Sequence, residues 1–387
     1  MKKFLCVAIS IIFILSMSVT GFAVDNENNT VAGDLSAKSA ILMEVSTGTV
    51  LMELNPDEKL SPASITKVMT ILLTFEALDS GKIALEDKVT ASQNASSKGG
   101  SQIWLKEGEV MTVHELLKAT VIASANDACT ALGEYIAGDE ISFVAMMNEK
   151  AKELGMKNTS FENCSGLDDT VTNHYSTARD VAIMSRELIK HEKVKEYTTI
   201  WMDTLRNGET QLVNTNRLIR YYDGATGLKT GTTSKAGYCV SATAQREGME
   251  LVAVVLGSDN SSERFEDAKK MLSWGFSNYA IYQPKIDKTL ITDVSVLYGE
   301  QETIKPIVKN PEPILISKNL KDKIEQRVDM CIDVEAPVEK NQTLGKVYFE
   351  IDGKKVGECL ILNEKKVERR SVWFVFSLLW SSFTKKS

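Results

Sequence analysis

This chain of 387 residues holds only three histidines, at 114, 174 and 191, so a Ser-His-Asp triad has little to draw on. Cysteine is also sparse. Of six, Cys6 lies in the N-terminal apolar segment, and Cys129, Cys164, Cys239, Cys331 and Cys359 remain for the body of the chain. An odd number at those spacings matches neither a metal site nor a disulfide framework, so they read as small buried residues, with a Cys331–Cys359 pairing left open. An excess of positive charge is missing as well. The formal net charge is −7 and no basic stripe runs along the globular part, which argues against nucleic acid as a partner. Long apolar runs are lacking too: Phe4–Val19 is short for a lone membrane anchor and Val372–Phe383 cannot span a bilayer. No cofactor or metal signature is present.

What the chain does have begins with an address. Lys2 and Lys3, the apolar run from Phe4, and the small residues Gly21 and Ala23 make residues 1–23 a signal peptide with cleavage expected after Ala23. Loss of the two lysines takes the charge to about −9. Residues 24–36 are polar and Asn-rich, a flexible lead-in. The remaining length suffices for two domains.

Three short motifs carry the chemistry. Ser61-Pro62-Ala63-Ser64-Ile65-Thr66-Lys67 sets a hydroxyl and an amine three residues apart where a long apolar helix starts, on one helix face. A serine becomes nucleophilic when a base takes its proton, and lysine can act so only when neutral. Burial and a nearby cation would both lower the pKa of Lys67. The helix start would stabilise negative charge near Ser64. From Ile65 to about Leu78 the residues Val68, Met69, Ile71, Leu72, Leu73 and Phe75 surround the helix, which predicts its burial. Alone, S-x-x-K is weak, since the spacing recurs at Ser382 and Lys385.

The second motif, Ser124-Ala125-Asn126, interrupts helical periodicity between Thr112–Ala123 and a helix reaching about Ile136. Taken locally it reads as helix capping, since Ser and Asn are favoured N-cap residues. The third, Lys229-Thr230-Gly231, occurs once and opens three antiparallel strands with Gly237–Thr243 and Leu251–Leu256. Gly231 lacks a side chain, so a substrate backbone could pair closely with this strand. S-x-N also occurs at Ser92, Ser258 and Ser317, but only Ser124 lies between two helices and before the lysine strand. Elsewhere, Lys38–Leu54 alternates around Ser46-Thr47-Gly48 as a β-hairpin, and Thr177–Lys190 is helical. Composition shifts at Gln283-Pro284 to a Val-, Ile- and Thr-rich region with an Asp352-Gly353 hairpin turn. The apolar tail has basic flanks and two tryptophans, as in a helix lying on an anionic membrane surface.

In this order the motifs, together with Gly237-Tyr238, the Arg264–Phe276 segment containing Trp274-Gly275-Phe276, the β region and the tail, resemble the serine-type D-alanyl-D-alanine carboxypeptidases of the penicillin-binding proteins. The resemblance implies an α+β catalytic domain at 37–283 with helices around a five-stranded antiparallel sheet. It also implies a β-rich domain at 284–365 and a membrane-anchoring amphipathic tail at 366–387. It implies export to the outer face of the cytoplasmic membrane, action on peptidoglycan stem peptides ending in D-Ala-D-Ala, and acylation by β-lactams. By the same resemblance Ser64 is the nucleophile, Lys67 its base, and Ser124 with Lys229 a relay to the leaving amine. Asn126 orients the substrate amide, Ser64 and Thr232 amides form the oxyanion hole, and Thr230 and Arg264 meet the terminal carboxylate beside Gly231. Two departures are Ala125, where many members carry glycine, and Cys164-Ser165 before Gly166-Leu167. A serine β-lactamase shares the motif set, and its class A members use an additional glutamate, for which Glu162 is available. A silent wall-binding scaffold is the non-enzymatic alternative.

Overall fold

The computed structural model describes residues 32–169 and 171–384, so the signal segment 1–23 and the lead-in up to residue 31 lie outside the described residues. The expected hairpin is present as β1 (Ser39–Glu44) and β2 (Val50–Leu54), in register from Ala40 with Leu54 to Met43 with Val50. Strands β3 (Ala225–Thr233), β4 (Gly237–Arg246) and β5 (Met249–Ser258) complete a five-stranded antiparallel sheet in the order β2-β1-β5-β4-β3. The lysine strand is therefore an edge.

Both faces of this sheet are covered, which explains the unbroken apolar run of β5. Val252, Val254 and Leu256 enter a core with the helices of one layer, while Leu251, Ala253 and Val255 enter a second core. The first layer contains α1 (Lys67–Asp79), α2 (Val113–Ile122), α3 (Asn126–Ala137) and α4 (Ala178–Ile189). The apolar residues named for α1 are all buried, as their distribution around the helix requires. On the other face lies α5 (Ser261–Asn278). Its Asp267 accepts from Ser36 N at 3.0 Å, Ser36 Oγ at 2.8 Å and Ala37 N at 3.0 Å. The described end of the polar lead-in is thus tied to the sheet layer, and its Ala32 is buried.

A short strand, Tyr279–Tyr282, follows α5 directly and pairs with Ile314–Ser317. Beyond it the chain forms small sheets around a third core that includes Val294, Val338, Val347, Ile361 and Val367. The Asp352-Gly353 turn joins Thr343–Ile351 to Lys354–Leu362. One boundary moves. Residues 366–370, expected in the tail, belong to this β region: Val367 bridges Val338, Arg369 bridges Gly299, and Arg370 N donates to Tyr298 O. Val367, buried between the exposed Lys366 and Glu368, anchors this segment in the third core. The tail helix α6 starts only at Val372 and runs to Thr384. Trp373, Phe376 and Trp380 are exposed and stacked, with ring centroids 5.8 and 6.4 Å apart. No helix among the described residues is long and apolar enough to cross a membrane. The five cysteines described, Cys331 and Cys359 included, are free thiols.

Candidate active site

Ser64 sits not within the α-helix but in the 3₁₀ turn Ala63–Thr66 that precedes it, and Lys67 is the first residue of α1. A 3₁₀ turn has three residues per turn and stacks positions i and i+3 directly. Lys67 Nζ accordingly donates to Ser64 Oγ at 3.0 Å. Two glycines pack closely against this turn. A Cβ on Gly231 of β3 would meet Pro62 O at 2.8 Å and Ala63 Cβ at 3.1 Å, so the missing side chain admits the nucleophile's own turn as well as leaving the strand bare. A Cβ on Gly166 would fall 1.8 Å from Ala63 O. Ala63 is itself left-handed, with φ 47°, and fully buried.

Lys67 is fully buried, and its Nζ also donates to Asn126 Oδ1 at 2.6 Å and Ser165 O at 2.8 Å. Burial lowers its pKa from 10.5 to about 8, against the opposing pull of Cys129, Cys164 and Asp127. The expected second cation is Lys229, 1 % exposed, and the visible effect runs toward it. Burial first, then repulsion from Lys67 and Arg264, pushes Lys229 well below its ordinary value. Two amines sharing one buried site disfavour each other's protons. Lys229 Nζ donates to Thr230 O at 2.9 Å and to no other described residue, which leaves it capacity for a further partner.

Capping does not account for Ser124 and Asn126. The N-cap of α3 is Ala125, with no side-chain cap, and Ser124 adopts φ 61° with no side-chain hydrogen bond among the described residues. Asn126 instead links Lys67 to the preceding loop: its Nδ2 donates to Gly99 O at 2.7 Å and its N–H to Ser101 O at 2.7 Å. Both ends of the amide expected to orient substrate are thus engaged, with the oxygen holding Lys67.

Along β3, Thr230 Oγ1 donates to Thr215 Oγ1 at 2.7 Å, and Thr232 Oγ1 donates to Gly231 O and accepts from Arg264 Nη1 at 2.9 Å. Arg264, expected at the terminal carboxylate, is buried on α5 behind the strand. Its Nη1 is committed to Gly231 O at 3.0 Å and Cys239 O at 3.2 Å besides Thr232. Burial lowers its pKa to about 10. Sequence reasoning missed Arg217, an exposed guanidinium with no partner among the described residues, whose charge reaches Arg264. The signal was Asn214-Thr215-Asn216: Asn214 Oδ1 accepts from Asn216 N and Asn216 Oδ1 from Leu218 N, a pair of Asx turns that presents Thr215 and Arg217 beside β3. Asp168 was missed too. It accepts from Ser61 Oγ at 3.1 Å and from Thr233 Oγ1, joining the segment before the nucleophile to the end of the lysine strand. Glu162 has its carboxylate on the amides of Thr172 and Asn173.

The motif residues therefore meet between β3, the Ser64 turn and the start of α3. Residues 25–260 match the family model described as D-alanyl-D-alanine carboxypeptidase, and residues 280–369 match that of the penicillin-binding protein 5 C-terminal domain. The carboxypeptidase DacF of Bacillus subtilis is 42% identical over 374 residues, with 95% of each chain covered. The chain belongs to the serine-type D-alanyl-D-alanine carboxypeptidase family. Penicillin-binding protein 5 of Haemophilus influenzae superposes on this carboxypeptidase with a TM-score of 0.75 at 32% identity, covering 87% of this chain and 98% of that one. Penicillin-binding protein D2 of Listeria monocytogenes, solved in its ampicillin-bound form, aligns at TM-score 0.58 and 34% identity, covering 62% of this chain and 98% of that one. The fold of this family member is thus the mixed α/β catalytic domain with a five-stranded antiparallel sheet, followed by the β-rich domain, and its reaction class is peptidoglycan carboxypeptidation.

Proposed function

We propose that the enzyme removes the terminal D-alanine of peptidoglycan stem pentapeptides through an acyl-enzyme on Ser64, and that penicillins acylate the same hydroxyl. The observation that carries this reading is the Lys67 amine, buried, lowered to about 8 and 3.0 Å from Ser64 Oγ. Neutral Lys67 takes the proton as Ser64 Oγ attacks the carbonyl between the last two D-alanines. The Ser64 and Thr232 amides receive the oxyanion. Ser124 and Lys229 pass a proton to the departing D-alanine amine, and water then releases the shortened peptide. Asn126 exchanges one of its two bonds for the substrate amide. The exposed Arg217, without a partner among the described residues, and the Thr230 hydroxyl meet the terminal carboxylate, while Arg264 holds the Gly231–Thr232 backbone in place.

The enzyme acts after export, with residues 1–23 as its signal and α6 lying on an anionic membrane. The stacked Trp373, Phe376 and Trp380 and the basic residues before and after the helix support that placement. The test is release of free D-alanine from a D-Ala-D-Ala peptide beside hydrolysis of a chromogenic β-lactam, with Ser64→Ala as control. D-alanine release together with a long-lived β-lactam adduct, both lost in the variant, is expected. Fast β-lactam turnover without peptide cleavage makes the protein a β-lactamase, and labelling that survives Ser64→Ala moves the nucleophile elsewhere.

A further inference from the structure

Trp104 is 76% exposed and left-handed, with φ 60°. A bulky residue adopts that conformation at a cost and keeps it only where its surroundings impose it, as at ligand-binding sites. Here the imposing group is the buried Asp127. Its Oδ2 accepts from Ile103 N at 3.1 Å and from Leu105 N at 3.0 Å, so the amides on both sides of Trp104 are clamped to one carboxylate and the indole between them faces solvent. Asn126 pins the same loop farther back, at Gly99 and Ser101. Two consecutive residues at the start of α3 thus set both the surroundings of Lys67 and the display of Trp104. The backbone that carries the ring is therefore already set.

Trp104 lines a groove of about 820 Å³ between the 103–109 loop and the 206–211 turn. Across from it, Glu109 and Arg206 neutralise each other at 2.7 Å. What remains on the rim is Gln211, which can donate or accept, the Thr210 hydroxyl, which accepts from Arg206 at 2.9 Å and can still donate, the carboxylates of Glu107 and Glu209, and the exposed amine of Lys106. An aliphatic ligand would leave those groups unpaired, and an anion would face two carboxylates against the single Lys106 amine. A neutral sugar ring satisfies both sides: its C–H face stacks on the indole while hydroxyl and N-acetyl groups pair with the rim.

We propose that Trp104 and this groove form a glycan subsite, gripping an N-acetylated hexose of the strand that carries the stem peptide. The proposal rests on the carboxypeptidase reading above and adds a specificity element to it. Trp104 contributes to capture of wall substrate and takes no part in the chemistry.

The full-length enzyme and Trp104→Ala are compared on two substrates, a free pentapeptide and the same pentapeptide on a short glycan strand. Trp104→Phe serves as the conservative variant. The expected result is a loss of about tenfold in kcat/KM on the glycan-linked substrate, through KM, with the free peptide unchanged and Trp104→Phe partly restored. Equal losses on both substrates would mean that Trp104 supports the catalytic centre, and no loss on either would empty the groove of its role; each overturns the proposal. Titration with the tetramer of N-acetylglucosamine gives a readout independent of turnover. If neither substrate releases D-alanine, the carboxypeptidase reading fails, while binding of the tetramer that Trp104→Ala abolishes still supports the subsite and absence of binding overturns it.

Discussion

A Cβ placed on Gly166 would lie 1.8 Å from the carbonyl oxygen of Ala63, the residue next to the nucleophile. With φ 82° at Gly166, the loop bearing Ser165 O can close over the Ser64 turn only because position 166 has no side chain. The nucleophile is therefore positioned by a contact about a hundred residues away in sequence as much as by its own helix.

Gly166→Ala should destabilise the catalytic domain by about 2–4 kcal/mol and slow penicillin acylation, since both the backbone conformation and the closest contact must give way. Thermal melting and a labelling time course check this. An unaltered melt and an unaltered acylation rate would contradict the clasp.

Acylation should rise with pH and level off above about 8, because only neutral Lys67 accepts the Ser64 proton and burial places its pKa there. Below that value the rate should fall about tenfold per pH unit. Stopped-flow acylation by a β-lactam across this range is the measurement, and a flat profile would remove Lys67 as the base.

His174 should make the fold acid-sensitive. Its Nδ1 accepts from Glu162 N at 3.0 Å, so Nε2–H donates to Thr66 Oγ1 at 2.7 Å, and burial pushes its pKa from 6.5 down to about 4. The unfolded chain then binds the extra proton first. Stability is complete above pH 6.5 and declines as pH falls from there to about 4, by about 3 kcal/mol in all. Denaturant titrations of the parent and His174→Gln across this window should show a shallower acid slope in the variant; equal slopes would refute the assignment.

Removing residues 371–387 should release the protein from anionic vesicles and leave D-alanine release from a soluble peptide unchanged. The cut is placed after Arg370 because Val367, Arg369 and Arg370 are stitched to Val338, Gly299 and Tyr298. Vesicle sedimentation of the two forms tests it, and persistent binding of the shortened chain would put the membrane contact elsewhere.

The parts legible in the sequence were those set by local pattern. Alternation around Ser46-Thr47-Gly48, the all-round apolarity of α1, the break at Ser124-Ala125-Asn126 and the three strands from Ala225 to Ser258 are each written within a short window. The order of the three motifs then pointed to one family. Two local readings had to yield: Asn126 looked like a cap and instead holds Lys67, and Ser64 lies a turn before the helix it was expected to open.

What only the tertiary structure decided depends on segments far apart in sequence. Gly166 against Ala63, Asp168 between Ser61 and Thr233, and Arg264 turned behind β3 while Arg217 stands open are products of packing across about 50 to 100 residues or of the sheet's two faces. A side chain's type announces what chemistry it can do. Which neighbour it does it with is set by the burial and hydrogen-bond satisfaction of the whole fold, and no window of sequence contains that.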